Sequence, residues 1–148
     1  MKKIGWKSRP GWVVVLFFIT FLGLTHVEAW GEDWKFYTQS KDGTMYYYDP
    51  TRVTHVSEGV LKFWGKVIPS PEIVKKFVKI DAKFTELHHI ISLIEMNCTE
   101  RKRRPLSTIF YDKNGVAIKN LYVTLGESDW EIVLPGSPQE NVLDVLCK

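Results

Sequence analysis

The stretch Ser137-Pro138-Gln139-Glu140-Asn141-Val142-Leu143-Asp144-Val145-Leu146-Cys147 (SPQENVLDVLC) decides the fold. Ser137 and Glu140 make a capping box: the serine hydroxyl accepts from the N3 amide while the glutamate reaches back to the Ser137 amide. Pro138 suits the first helical position. Val142, Leu143, Leu146 and Cys147 then fall on one side of the helix, so Cys147 points with the apolar face into the protein. Its counterpart is Leu87–Cys98 (LHHIISLIEMNC), where alternation predicts a strand. Ile90, Ile94, Met96 and Cys98 share one side, interrupted by Ser92, and His89, Glu95 and Asn97 lie on the other among Ile91 and Leu93. Two cysteines on apolar faces are expected to meet, tying a C-terminal helix to a sheet.

The first thirty residues set the compartment. Lys2, Lys3, Lys7 and Arg9 precede an uncharged apolar run, Trp12–Leu24, and Val27-Glu28-Ala29 offers small residues for a cut after Ala29. The run is shorter than the roughly 20 residues a bilayer span needs, so a cleaved signal peptide over residues 1–29 is expected rather than an anchor. No cysteine follows it, and no lipid attachment is expected. Residues 30–148, 119 in number, suffice for one domain. Cleavage takes four of the 20 basic and one of the 17 acidic residues, leaving 16 of each. The basic character thus belongs largely to the signal, and a nucleic-acid partner is not expected. In an oxidising compartment Cys98 and Cys147 should pair; two unrelated buried thiols are the weaker reading.

Outward from these segments, turn signals divide the chain into short strands. Trp34–Thr38 and Thr44–Asp49 flank Lys41-Asp42-Gly43, and Asp49-Pro50 ends the second. A short stretch over Arg52–Val56 and the turn Glu58-Gly59 precede the strand Val60–Ile68. After Pro69, Ser70 caps and Pro71 starts a helix of about three turns, with Ile73, Val74, Phe77, Val78 and Ile80 at helical spacing. Pro105–Asp112 reads as a strand turning at Lys113-Asn114-Gly115 into another over Val116–Val123, and Trp130–Leu134 is short and extended. The predicted class is α+β: a mainly antiparallel sheet, one mid-chain helix, and a C-terminal helix tied by the disulfide.

No catalytic set assembles. His88 and His89, adjacent on a strand, should point to opposite faces and not share a metal, and His55 stands alone. There is no His-Glu-x-x-His, Cys-x-x-Cys, nucleophile-elbow serine or phosphate loop, so neither enzyme, metal nor cofactor is expected. Two features could bind a partner. Arg101, Lys102, Arg103 and Arg104 form a basic run that would attract a polyanion, although a charge run is more often a solvated turn. Trp34, Phe36, Tyr37, Tyr46, Tyr47, Tyr48, Phe63 and Trp64 cannot all face one core on alternating strands. The remainder would form an interaction surface or a homodimer interface.

The order of motifs resembles the surface-adhesin protein E family of Proteobacteria. The likeness runs from Trp34 through Tyr47-Tyr48-Asp49, Gly59 and Trp64 to Glu95-Met96-Asn97-Cys98, its most specific part. Arg101, Arg104, Leu106, Ser107 and Tyr111-Asp112-Lys113-Asn114-Gly115 continue it, and Trp130, Pro135, Ser137 and Cys147 close it. Asn97 stands where family members usually carry aspartate. The resemblance implies an antiparallel sheet with a disulfide-held C-terminal helix, and it implies adhesion to extracellular-matrix proteins. The expected function is an exported, non-catalytic binding module, periplasmic or surface-associated, for matrix or envelope macromolecules. A self-associating envelope subunit is the second reading, a small periplasmic enzyme the third.

Overall fold

The structure, a computed structural model, describes residues 33–122 and 130–148. The expected signal peptide over 1–29 and its cleavage site lie outside the described residues, as does Val123 at the end of the last predicted hairpin. Among the described residues eight strands form one sheet: β1 (Lys35–Gln39), β2 (Met45–Tyr48), β3 (Thr54–Ser57), β4 (Val60–Ile68), β5 (His89–Asn97), β6 (Lys102–Tyr111), β7 (Ala117–Tyr122) and β8 (Glu131–Ile132). The spatial order is β1-β2-β4-β5-β6-β7, with β3 beside the start of β4 and β8 beside the start of β6. Every pairing is antiparallel. Two α-helices among the described residues complete the fold, α1 (Pro71–Ile80) and α2 (Pro138–Leu146). Among the described residues no helix is long and apolar enough to cross a membrane.

Strand register sorts the side chains onto two faces, because residues opposite one another point the same way. Leu61 and Met96, Phe63 and Ile94, and Val67 and Ile90 are partners across β4 and β5, and Phe110 lies opposite Ile90 on β6. Both helices pack on this face, each over its own core. Under α2, Val142 and Leu143 meet Tyr48, Leu61, Phe63, Met96 and Val133. Under α1, Phe77 and Val74 meet Phe84, Leu87 and Phe110, with the rings of Phe77, Phe84 and Phe110 4.9–5.6 Å apart. Burying each such side chain stabilises the fold by about 1.5–3 kcal/mol. Gly65, Ser92 and Thr108 cross the sheet between the two cores. A Cβ on Gly65 would come 3.2 Å from Ile94 Cδ1, and the Ser92 and Thr108 hydroxyls satisfy each other at 2.9 Å.

Cys98, just past β5, and Cys147, at the C-cap of α2, form the disulfide, with Cα atoms 5.5 Å apart. Both capped helices start where the sequence places them. The Ser70 hydroxyl accepts from Ile73 N–H at 3.3 Å, and the Ser137 hydroxyl accepts from Glu140 N–H at 3.3 Å. One detail of the capping box is corrected. Glu140 reaches past Ser137 and accepts from Gly136 N–H at 2.7 Å, while the Ser137 amide donates to Leu134 O. Ile80, counted in the apolar stripe of α1, is 79% exposed; the stripe ends one turn earlier, at Phe77 and Val78.

Candidate interaction surface

The basic run lies mostly in a strand. After Cys98 the chain turns through Thr99 and Glu100, and Asn97 Oδ1 accepts from Glu100 N–H at 2.9 Å. An aspartate at this position would offer the same acceptor. Arg101 takes the left-handed conformation (φ 52°) that ends this turn. Gly59 closes the turn from the other side. Its carbonyl accepts from Cys98 N–H at 2.7 Å, its φ is +69°, and a Cβ there would lie 2.6 Å from Thr99 Oγ1. β6 then begins at Lys102, three residues earlier than the sequence suggests, and carries Pro105 at a bulge opposite Leu93 and Ile94. A bulge is one of the few places where a sheet tolerates proline.

Consequently the four cations do not form one patch. Arg101 turns to α2 and pairs with Glu140 at 2.6 Å and Asp144 at 3.8 Å. Lys102 and Arg104 point to the helix-free face, and Arg103 to the opposite one. Lys102 meets Glu100 at 2.8 Å and Arg103 meets Glu131 at 3.0 Å. Arg104 serves a buried carboxylate: Glu95 is 5% exposed, and Arg104 contacts it at 2.6 Å while Lys62 approaches at 3.7 Å. Trp130 roofs this group, its ring 4.5 Å from the Arg104 guanidinium. Each cation of the run thus has an internal counter-ion, which weakens its field outside the protein.

The face opposite the helices gathers the remaining aromatics. Phe36, Tyr47, Lys66, Ile91, Ile109 and Asn120 form one row across it, and Trp64, Leu93, Ser107 and Tyr122 form the next. At one side the Arg52 guanidinium lies 5.9 Å from the Trp34 ring and 5.8 Å from the Trp64 ring, with Lys66 Nζ 5.3 Å from Trp34. These distances suit cation–π attraction. Arg52 is fixed from below by a salt bridge to Asp49, which also accepts from Thr51 N–H at 2.8 Å and from the Thr51 hydroxyl at 2.6 Å. Burial works to raise the Asp49 pKa, but the bonds from Thr51 and Arg52 outweigh it and hold the carboxyl below its usual value. Phe36 is 51% and Tyr122 78% exposed. The aromatic set therefore divides: Tyr46, Tyr48 and Phe63 serve the helix-covered face, and Phe36, Tyr47 and Trp64 the other. Neither composition nor periodicity assigns these sides; register does.

Tyr37 sits in the β1 bulge without a register partner and packs on the helix-side core, its ring 6.2 Å from those of Tyr46 and Tyr48. Burial, with Tyr46 nearby, pushes its phenol pKa well up. It lines a niche of about 90 Å³ with Tyr46, Gly65, Ser92, Arg103 and Gln139, between the sheet and α2. That volume admits a few waters rather than a substrate. The histidines depart from expectation. His88 precedes β5 instead of lying in it, so its ring turns back and its Nδ1 lies 3.1 Å from His89 Nδ1. His89 also stacks on Tyr111 at 5.0 Å. Among the described residues no three His, Cys, Asp or Glu side chains are placed to hold a metal.

Comparison with known proteins places this architecture. No curated protein sequence matches the chain. Among solved structures, Haemophilus influenzae protein E is similar in fold at 14% identity and a TM-score of 0.51, over 77% of this chain and 83% of that one. The Se-Met form of the same protein gives 14% identity and a TM-score of 0.50, over 76% and 84%. At that identity the likeness speaks for the fold alone. The family model described as Surface-adhesin protein E matches residues 34–148. The chain belongs to the surface-adhesin protein E family.

Proposed function

We propose that this protein is an exported, non-catalytic binding module of the adhesin type, released by cleavage after Ala29, which contacts extracellular-matrix or envelope macromolecules through the helix-free face of its sheet. One observation carries the reading: one face of the sheet presents Phe36, Tyr47, Trp64 and Tyr122 together with Arg52 and Lys66. Aromatic and arginine side chains dominate the energetics of protein interfaces, and here they stand on strands, which cost little to order on binding. Lys102 and Arg104 extend the face at its margin, so the basic run contributes there through two of its members rather than as a free patch. Family membership supports the adhesin reading over an envelope subunit. The exposed edge strand β7, with Leu121 and Tyr122 outward, is what favours self-association. The test is capture of the exported protein on immobilised matrix proteins and on heparin across a salt series, with sedimentation alongside. Matrix binding by a monomer supports the adhesin reading. No capture, with dimerisation at micromolar concentration, would replace it by the envelope subunit.

A further inference from the structure

We propose a second site on the other side of the molecule, a groove for a single-chain carboxylate amphiphile such as a fatty acid, along helix α1. Pro69 and Pro71 lift the start of α1 away from the end of β4, and the 3₁₀ turn Ala82–Glu86 returns the chain beneath it. The gap left between them is an open groove of about 690 Å³, within the usual range of small-molecule sites. Its walls are almost entirely carbon, from Ile68, Pro69, Pro71, Val74, Val78 and Leu87. Val74 and Val78 stand one turn apart, so the apolar stripe runs along the helix axis, the shape an extended acyl chain fills.

Charge at the rim selects the head group. Lys75 and Lys79 line the groove, again one turn apart, and His88 and Thr85 close its far end; no carboxylate lines it. Glu72 is the acidic residue in the first turn of α1, and it pairs with Lys76 at 3.1 Å instead. Among the described residues neither Lys75 nor Lys79 has an ion-pair partner. Like charges at this spacing repel. Lys79 also suits the helix C-terminus, but Lys75, a turn earlier, has no such local reason. An anion seated between them, with its chain on Val74 and Val78, relieves the repulsion and covers the apolar stripe together.

The experiment titrates the exported protein with octanoate, decanoate and dodecanoate below their micellar concentrations, by calorimetry and by amide NMR shifts. Dodecanoate should bind one to one and perturb amides in 68–79 and 87–88. Burial of the added methylenes on an open groove should make it at least tenfold tighter than octanoate. The double variant Lys75→Glu/Lys79→Glu, both side chains exposed, should fold normally and weaken dodecanoate at least tenfold. Dodecyl maltoside should bind parent and variant alike, and more weakly than dodecanoate binds the parent. The proposal is overturned by absence of dodecanoate binding, by equal affinity in the double variant, or by shifts confined to other surfaces. Concentration-dependent shifts of the same amides without ligand would assign the groove to a second copy of the chain and overturn it too.

Discussion

Arg104 shows how one residue changes meaning between sequence and structure. In the sequence it is the last of four basic residues and invites a polyanion. In the fold it neutralises Glu95, which is buried against the sheet with Lys62 as a second, longer contact. Removing one partner of a buried pair costs more than the pair contributes, because the other charge is left behind. With Lys62 still near Glu95, Arg104→Gln should cost roughly 2–3 kcal/mol, read as a fall in the urea midpoint with an unchanged slope; a loss below about 0.5 kcal/mol would place it among ordinary surface pairs. Among the described residues, three aspartates contribute to acid sensitivity. Asp42 accepts from the Ser40, Thr44 and Ser70 hydroxyls, which hold its pKa far below the ordinary carboxylate value. The Val116 amide first, and the Asn114 amide after it, outweigh desolvation to lower that of Asp112, and Asp49 is lowered likewise by its partners. A depressed folded pKa gives stability that is present above the unfolded value near 4 and lost as pH falls through the folded one. The urea midpoint should therefore fall from about pH 4 downward, and less steeply in Asp49→Asn. A parent midpoint constant from pH 5 to 2.5 would refute this.

At the scale of elements, local signals served where local physics decides. Serine caps followed by proline mark both helices, and Asn114-Gly115 marks the β6–β7 hairpin, with Gly115 at φ +78°. The signals failed where pairing decides. Pro105 and four charges read as a turn, yet β5 and β8 supply partners on both sides and draw Lys102–Arg104 into β6. His88 escapes its predicted face because the strand begins only at His89, two residues later than predicted. The disulfide was legible because both cysteines continue apolar faces. It closes a loop of 49 residues, worth about 4 kcal/mol on the chain-entropy model. Arg101 adds a noncovalent tie from the same turn to Glu140 and Asp144 on α2. The Cys98→Ala/Cys147→Ala variant should lose about 4 kcal/mol, with amide exchange quickening first in α2; loss of less than 1 kcal/mol would mean that Leu143 and Leu146 hold the helix unaided.

Over the whole molecule, one sheet divides two tasks. One face is consumed by α1 and α2 and their two cores, and the other offers aromatic rings and cations to solvent. The sequence showed that aromatics outnumber the positions one core can take, but only register shows which of them are left over. The basic run, conspicuous in the sequence, is spent largely on internal pairs, so binding should follow the face rather than the run. The direct test compares capture on matrix proteins by three exported forms of equal thermal stability: the parent, Phe36→Ser/Lys66→Gln/Tyr122→Ser on the face, and Arg101→Gln/Arg103→Gln, the two members of the run that point away from it. The face variant should bind at least tenfold more weakly, a loss of about 1.4 kcal/mol or more, and the run variant within about threefold of the parent. Full binding by the face variant, with loss in the run variant, would contradict it.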